Sequence, residues 1–206
     1  MPKLLIPTTI LLHILKGGKT GIYFIDSTKL AICHRKRTSS NKVFKGLAEI
    51  GKSSYGWFLG FKLHMVINHQ GQIMAVKITK GNVDDRPPVA ELAKGLFGSM
   101  YGDKGYTKHD LFLNLYQKGL KFIYGIRNNM KNCLMLMIDK ILLRKRSLIE
   151  SSLNILKNQM NLEHTRHRSP INFLVNILSC LSAYCFKTTG KHLRKIKGDD
   201  IGGICA

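Results

Sequence analysis

The chain has 206 residues, 33 Lys and Arg against 12 Asp and Glu, a net charge of +21, and 44% hydrophobic residues. That composition excludes a disordered chain, and the length suits one domain, or one domain with an arm. A folded domain this basic points to a polyanion, most often nucleic acid, with an anionic membrane surface as the rival partner. The five cysteines show neither C-x-x-C nor zinc spacing, so they read as reduced thiols of a cytoplasmic protein.

In chain order, Leu4 to Leu15 is an apolar helix that lacks the charged start and cleavage site of a signal peptide. After Gly17-Gly18, Ile22 to Thr28 reads as a buried strand, and His34 to Lys52 as a polar, basic loop. Trp57 to Asn68 and Gln72 to Lys80 form a hairpin about His69-Gln70-Gly71. Asp84 and Asp85 precede Pro87-Pro88, which predicts a helix over Val89 to Phe97 with at least one acid as its cap. A short strand tip at Ser99 to Asp103, a helix from Thr107 to Lys118 and a strand from Lys121 to Ile126 follow. One long helix is expected from about Asp139 to Met160. The apolar run Ile171 to Phe186 is broken by Asn172, Asn176, Ser179 and Ser182 and falls short of the ~20 residues that span a bilayer, so no membrane partner is expected. Cys180 and Cys185 read as core residues of that last helix. The order predicts an α/β fold: a mixed five-stranded sheet flanked by helices.

In so basic a chain the acids are informative. Asp26 follows Ile22-Tyr23-Phe24-Ile25 on a central strand, Asp103 sits at the tip of the short strand, and Glu150 lies in the long helix. There Arg146, Glu150, Asn154 and Lys157 share one face beside the apolar Ile149, Leu153, Leu156 and Met160. Three carboxylates on separate elements make an open, hard oxygen site suited to Mg²⁺ or Mn²⁺ and to a substrate phosphate. Two such ions would stabilise both oxygens of an in-line phosphoryl displacement. The basic run Arg35, Lys36, Arg37, Lys42 and Lys45 suits DNA phosphates, as do Lys104, Arg166 and Arg168. Trp57, Phe58 and Phe61 are expected to pack the hairpin onto a helix, and zinc binding by His164 and His167 lacks further ligands.

Several blocks, taken in order, closely resemble bacterial insertion-sequence transposases of the DDE type, whose catalytic domain is ribonuclease H-like. They are Ile25-Asp26-Ser27-Thr28, Asn41 to Gly46, Gly56-Trp57-Phe58 through His64, Gly81 to Arg86, Gly102-Asp103-Lys104-Gly105-Tyr106, Leu143 to Glu150 and His164 to Ser169. The resemblance implies that Asp26, Asp103 and Glu150 are the catalytic triad and hold two Mg²⁺ (or Mn²⁺) ions. It implies further that Arg146, Glu150 and Lys157 form the arginine-glutamate-lysine signature of related transposases. Leu143 stands where that signature usually has tyrosine. The implied activity is metal-dependent DNA cleavage and strand transfer at the ends of an insertion sequence. The implied partners are DNA and a second copy of the chain, in the bacterial cytoplasm on the nucleoid. The alternatives are a shortened remnant that only binds DNA and a metal-dependent nuclease without strand transfer. Such transposases carry a DNA-recognising helical region upstream, so a residual helix over 1–20 is expected, then the catalytic domain over 21–186 and a basic flexible tail over 187–206.

Overall fold

The structure is a computed structural model that describes residues 2–53, 56–107, 109–125, 135–163 and 167–200, with 189–200 as helix backbone only. Arg166, His164, Cys133, Cys205 and the end of the expected strand at Ile126 lie outside the described residues.

Helix α1 (Leu5–Ile14) precedes strand β1 (Ile22–Ala31), which runs three residues past its expected end at Thr28 because Leu30 is buried and Leu63 to Gly60 pair along it. The basic segment is not all loop. Arg35–Arg37 is a 3-10 turn, and Glu49–Ser53 is strand β2. The hairpin strands are β3 (Gly56–Asn68) and β4 (Ile73–Lys80), antiparallel as expected. Helix α2 is a single turn, Val89–Leu92, whose first turn is capped by no side chain. Asp84 instead holds the Arg86 backbone N–H (2.9 Å) and its guanidinium. Strand β5 (Gly98–Gly102), helix α3 (His109–Gln117) and strand β6 (Leu120–Tyr124) follow as expected.

The sheet order is β2-β3-β1-β5-β6, with β4 also on β3. Strand β3 is long enough to carry two partners on one edge, β2 along Gly56–Gly60 and β4 along Phe61–Ile67. The expected five-stranded sheet therefore gains the short β2 as a sixth strand. Where the strands crowd, glycine is required: a Cβ on Gly60 would stand 2.1 Å from the Leu30 carbonyl oxygen, and one on Gly51 2.1 Å from that of Gly81. β1 pairs antiparallel with β3 and parallel with β5, which pairs parallel with β6.

Strand alternation sends side chains to two cores. On one face Phe24, Leu30, Leu63, Met65, Ile67 and Tyr101 pack beneath α1 and the C-terminal helices. On the other, Tyr23, Ile25, Val66, Met100 and Phe122 pack against α2 and α3. The expected long helix is two, α4 (Met137–Arg144) and α5 (Ser147–Asn158), broken at Lys145-Arg146. No glycine or proline marks the break. Each piece answers to its own anchor: α4 is held by buried Asp139, which accepts from Tyr101 Oη and Lys121 Nζ (2.9 Å each), and α5 by buried Ile149, Leu153 and Leu156.

The last helix, α6, runs Pro170–Asp200, past the expected end at Phe186, since Lys187 to Lys197 are mostly good helix formers. Its stretch Pro170–Thr188 is 19 residues long and apolar enough to cross a membrane by length and composition, contrary to the expected shortfall. Phe173, Ile177, Leu181, Tyr184 and Cys185 of that stretch nevertheless lie in the first core. Tyr184 donates its hydroxyl proton to the Gly71 carbonyl (2.8 Å). Cys33, Cys180 and Cys185 are free thiols, the latter two buried in α6 as expected.

Candidate active site

The register of β1 and β5 places Phe24 opposite Tyr101. Carried two residues further, it sets Asp103 beside Asp26, on the face that carries Phe24 and Tyr101 and is covered by α5. The turn after Asp103 is a 3-10 turn, Lys104–Tyr106, pinned by buried Tyr106 edge-on to Phe122. Gly102 allows the close approach, since a Cβ there would stand 2.9 Å from the Phe122 ring. Helix α5 presents Glu150 at its first turn, next to buried Ile149. Three carboxylates separated widely in sequence thus converge.

What joins them is Arg146, at the α4–α5 break. Its guanidinium lies 3.2 Å from Asp103 Oδ1, 3.3 Å from Glu150 Oε1 and 3.9 Å from Asp26 Oδ2, with its side chain only 17% exposed. Its Nε is buried without a hydrogen-bond partner. The Asp26 carboxyl, 22% exposed, is pushed up to about 6. Burial is the main cause, opposed by the Ser27 N–H (2.8 Å) and Arg146, and reinforced by the charges of Glu150 and Asp103. The donor set of three carboxylates, one desolvated, fits a hard divalent cation. Among the described residues, however, no three Asp, Glu, His or Cys groups stand close enough to share an ion as they are placed. The guanidinium stands among them.

The expected phosphate contacts separate into groups. Arg37, Lys42 and Arg168 come together with His167 in a cleft of about 700 Å³ beside Cys33. Arg35, Lys36 and Lys45 are exposed outside that cleft, and Lys104 is exposed in the turn after Asp103. Lys157 lies about two turns beyond Glu150 and pairs with Glu163 (3.5 Å). Trp57 does not pack onto a helix: it is 52% exposed, with Lys52 Nζ 5.8 Å from its ring centroid, whereas Phe58 is buried and Phe61 packs on Phe44 and Phe173.

A second cleft, of about 510 Å³, touches Asp103 itself and is lined by Ser27, Lys29, Lys52, Ser53, Lys62 and Asp85 among others. Lys29 and Lys62 face each other across the β1–β3 ladder, a like-charge pairing that costs stability unless an anion sits near. Asp85 offsets part of it, 3.1 Å from Lys62 Nζ and 3.9 Å from His64 Nδ1. Sequence marked Asp85 only as a helix cap and did not mark Lys52 or Lys62 at all. The pairing of Lys29 with Lys62 that brings them together comes from the β1–β3 register, which local spacing does not reveal. His64 is fully buried, its Nε2 2.8 Å from Thr79 Oγ1, and burial lowers it to about 4.

Against known proteins, the family described as Transposase DDE domain matches residues 16–170, and the chain belongs to that family. Comparison with curated proteins gives no match. Among solved structures, the piggyBac transposase in a synaptic complex with hairpin DNA is similar over 85% of this chain and 49% of its own, at 11% identity and a TM-score of 0.54. The catalytic core domain of BIV integrase is similar over 81% of each chain, at 10% identity and a TM-score of 0.42. A simian T-cell lymphotropic virus intasome, solved in complex with PP2A regulatory subunit B56 gamma, is similar over 83% of this chain and 49% of its own, at 12% identity and a TM-score of 0.45. This chain spans about half the length of the piggyBac transposase chain it matches. The fold is ribonuclease H-like.

Proposed function

We propose that the chain is the catalytic domain of a DDE transposase that cuts the phosphodiester at the ends of an insertion sequence and joins the freed 3′-hydroxyl to target DNA. One observation carries the reading: Asp26, Asp103 and Glu150, from two strands and a helix, meet within 4.0 Å of one guanidinium. Asp26, Asp103 and Glu150 would hold two Mg²⁺ or Mn²⁺ ions. When bound, these would supply charge neutralisation at the phosphate and a more acidic water. In the first displacement water attacks phosphorus and the 3′-oxygen leaves. In the second, that oxygen attacks a target phosphorus and a new 3′-oxygen leaves.

The remaining residues bind and orient. Lys29, Lys52 and Lys62 line the cleft at Asp103 and would grip backbone phosphates on either side of the scissile one. Arg37, Lys42 and Arg168 form a second grip beside Cys33, seven residues beyond Asp26. That is roughly 23 Å of extended chain, within one turn (about 34 Å) of duplex DNA. Arg166, Arg35, Lys36, Lys45 and Lys104 add diffuse positive charge, and Lys157 braces the end of α5 through Glu163. The working form in this reading is a homo-oligomer on DNA in the bacterial cytoplasm, because two element ends need two sites. The apolar stretch of α6 serves as a core helix.

The test is Asp103→Asn against the parent on supercoiled plasmid with Mn²⁺. Nicking is expected from the parent alone, with DNA binding retained in both. Equal nicking by the variant refutes the triad. Joint molecules from a pre-cut end distinguish a transposase from a nuclease without strand transfer.

A further inference from the structure

We infer that Arg146 is an internal counter-ion of the catalytic carboxylates, which holds the metal-free site together and competes with divalent cations for the same oxygens. The inference rests on the reading of Asp26, Asp103 and Glu150 as metal ligands. A lone arginine reaches all three, at 3.9, 3.2 and 3.3 Å. Its planar, forked cation can span separated carboxylates as a lysine point charge cannot. The backbone fixes where it stands: the Arg146 carbonyl accepts from Ile149 N–H (3.0 Å), so the residue opens α5 and its side chain turns back over the strand ends.

Two facts set this contact apart from an ordinary surface ion pair. The side chain is 17% exposed and its Nε lacks a partner, so the guanidinium has been drawn out of water toward the carboxylates at a cost in hydration. In addition, no three ligating groups among the described residues are near enough to share an ion while it stands there. An ion that enters must therefore draw the carboxylates inward and drive the guanidinium off. A unit charge about 4 Å from a divalent ion lowers its affinity roughly thirtyfold even at the dielectric constant of water. The displaced guanidinium is left beside the reaction centre with its hydrogen bonds open, and a phosphate is the acceptor that matches its fork. Metal loading thus releases an arginine for the DNA backbone.

The test compares the parent chain, Arg146→Gln and Arg146→Lys. Each is stripped of metal and titrated with Mn²⁺ while free Mn²⁺ is followed by electron paramagnetic resonance. Melting temperatures are recorded in chelator and in excess Mn²⁺. Arg146→Gln is expected to melt lower than the parent in chelator, to bind Mn²⁺ at least about tenfold more tightly, and to gain more from the metal on melting. Arg146→Lys is expected between the two, and it decides the matter if the glutamine variant does not fold. An arginine with a merely structural role gives the opposite sign: equal or weaker Mn²⁺ binding in both variants overturns the inference while leaving the triad a metal site. No Mn²⁺ bound by the parent or by either folded variant overturns the metal-site reading and the inference together.

Discussion

Replacing Asp26 by Asn is expected to remove cleavage and, in metal-free protein, to raise stability. The carboxyl is held near 6 in the folded chain, chiefly by burial, against an ordinary value of 3.8. Above pH 6 the folded protein carries a desolvated carboxylate that the unfolded chain would solvate freely. Well below the ordinary value of 3.8 both states are protonated, and the penalty vanishes. The shift of about two units corresponds to roughly 3 kcal/mol at pH 7.5 and well under 1 kcal/mol at pH 4. Asparagine keeps an oxygen for the Ser27 N–H, which donates to Asp26 at 2.8 Å, and drops the charge. For a domain of this size a gain of about 3 kcal/mol raises the melting temperature by roughly 6–12 °C. Thermal melts in chelator at pH 7.5 and pH 4 provide the assay. A variant no more stable than the parent at pH 7.5, or equally stabilised at both pH values, would show that burial of the charge is not what this site costs the fold.

Three further outcomes follow from other parts of the molecule. His64 stays neutral because burial lowers it to about 4, so acidification from pH 6.5 toward 4 protonates the unfolded chain first and removes about 2–3 kcal/mol. Asp26 titrates with the opposite sign over part of that window, so the parent curve is flattened. Urea unfolding of His64→Gln at pH 7 and 4.5 should show that loss abolished, and an unchanged pH dependence would exclude His64 as its source. Lys52→Ala is expected to weaken DNA binding and to lower the slope of log affinity against log salt by about 0.9; an unchanged slope places the backbone elsewhere than the Asp103 cleft. Gly60→Ala forces a Cβ to 2.1 Å from the Leu30 carbonyl oxygen, and denaturant melts should show at least about 3 kcal/mol lost. A near-neutral result would mean that β1 and β3 can part there without harm.

The strands were legible in sequence where one face is buried. Phe61, Leu63, Met65 and Ile67 alternate with polar or smaller residues, and that period survives into the structure as one face of β3. β2 was not legible, because Glu49-Ile50-Gly51-Lys52-Ser53 has a single large apolar side chain and becomes a strand only through pairing with β3. The break between α4 and α5 was equally silent: Asp139 finds Tyr101 and Lys121 far away in sequence, and that pull redirects the chain at Arg146. The carboxylates stood out because acids are scarce in a +21 chain and because their blocks resemble a known family. Helical spacing exposed the Arg146–Glu150 pair and the buried face of Ile149, Leu153 and Leu156 beside it. That Arg146 also reaches Asp26 and Asp103, and that Lys29, Lys52 and Lys62 share a cleft, depends on strand register, which no local pattern encodes.

The seating of α6 sets a schedule on the birth of the protein. Asp26 and Asp103 leave the ribosome early, and their strands can pair as soon as β3 and β5 are out. Yet α5, which brings Glu150 and Arg146, rests on α6, and Tyr184 ties both to the hairpin: its hydroxyl lies 2.7 Å from Ser152 Oγ and donates to the Gly71 carbonyl. α1, made well before α6, also waits for it to cover Leu12. A growing chain therefore holds Asp26 and Asp103 on their strands but has no settled seat for Glu150 and Arg146 until α6 has been made as far as Tyr184. Messages cut short upstream of Tyr184 yield a basic, incomplete sheet with an uncovered apolar face, which is a ready substrate for proteases.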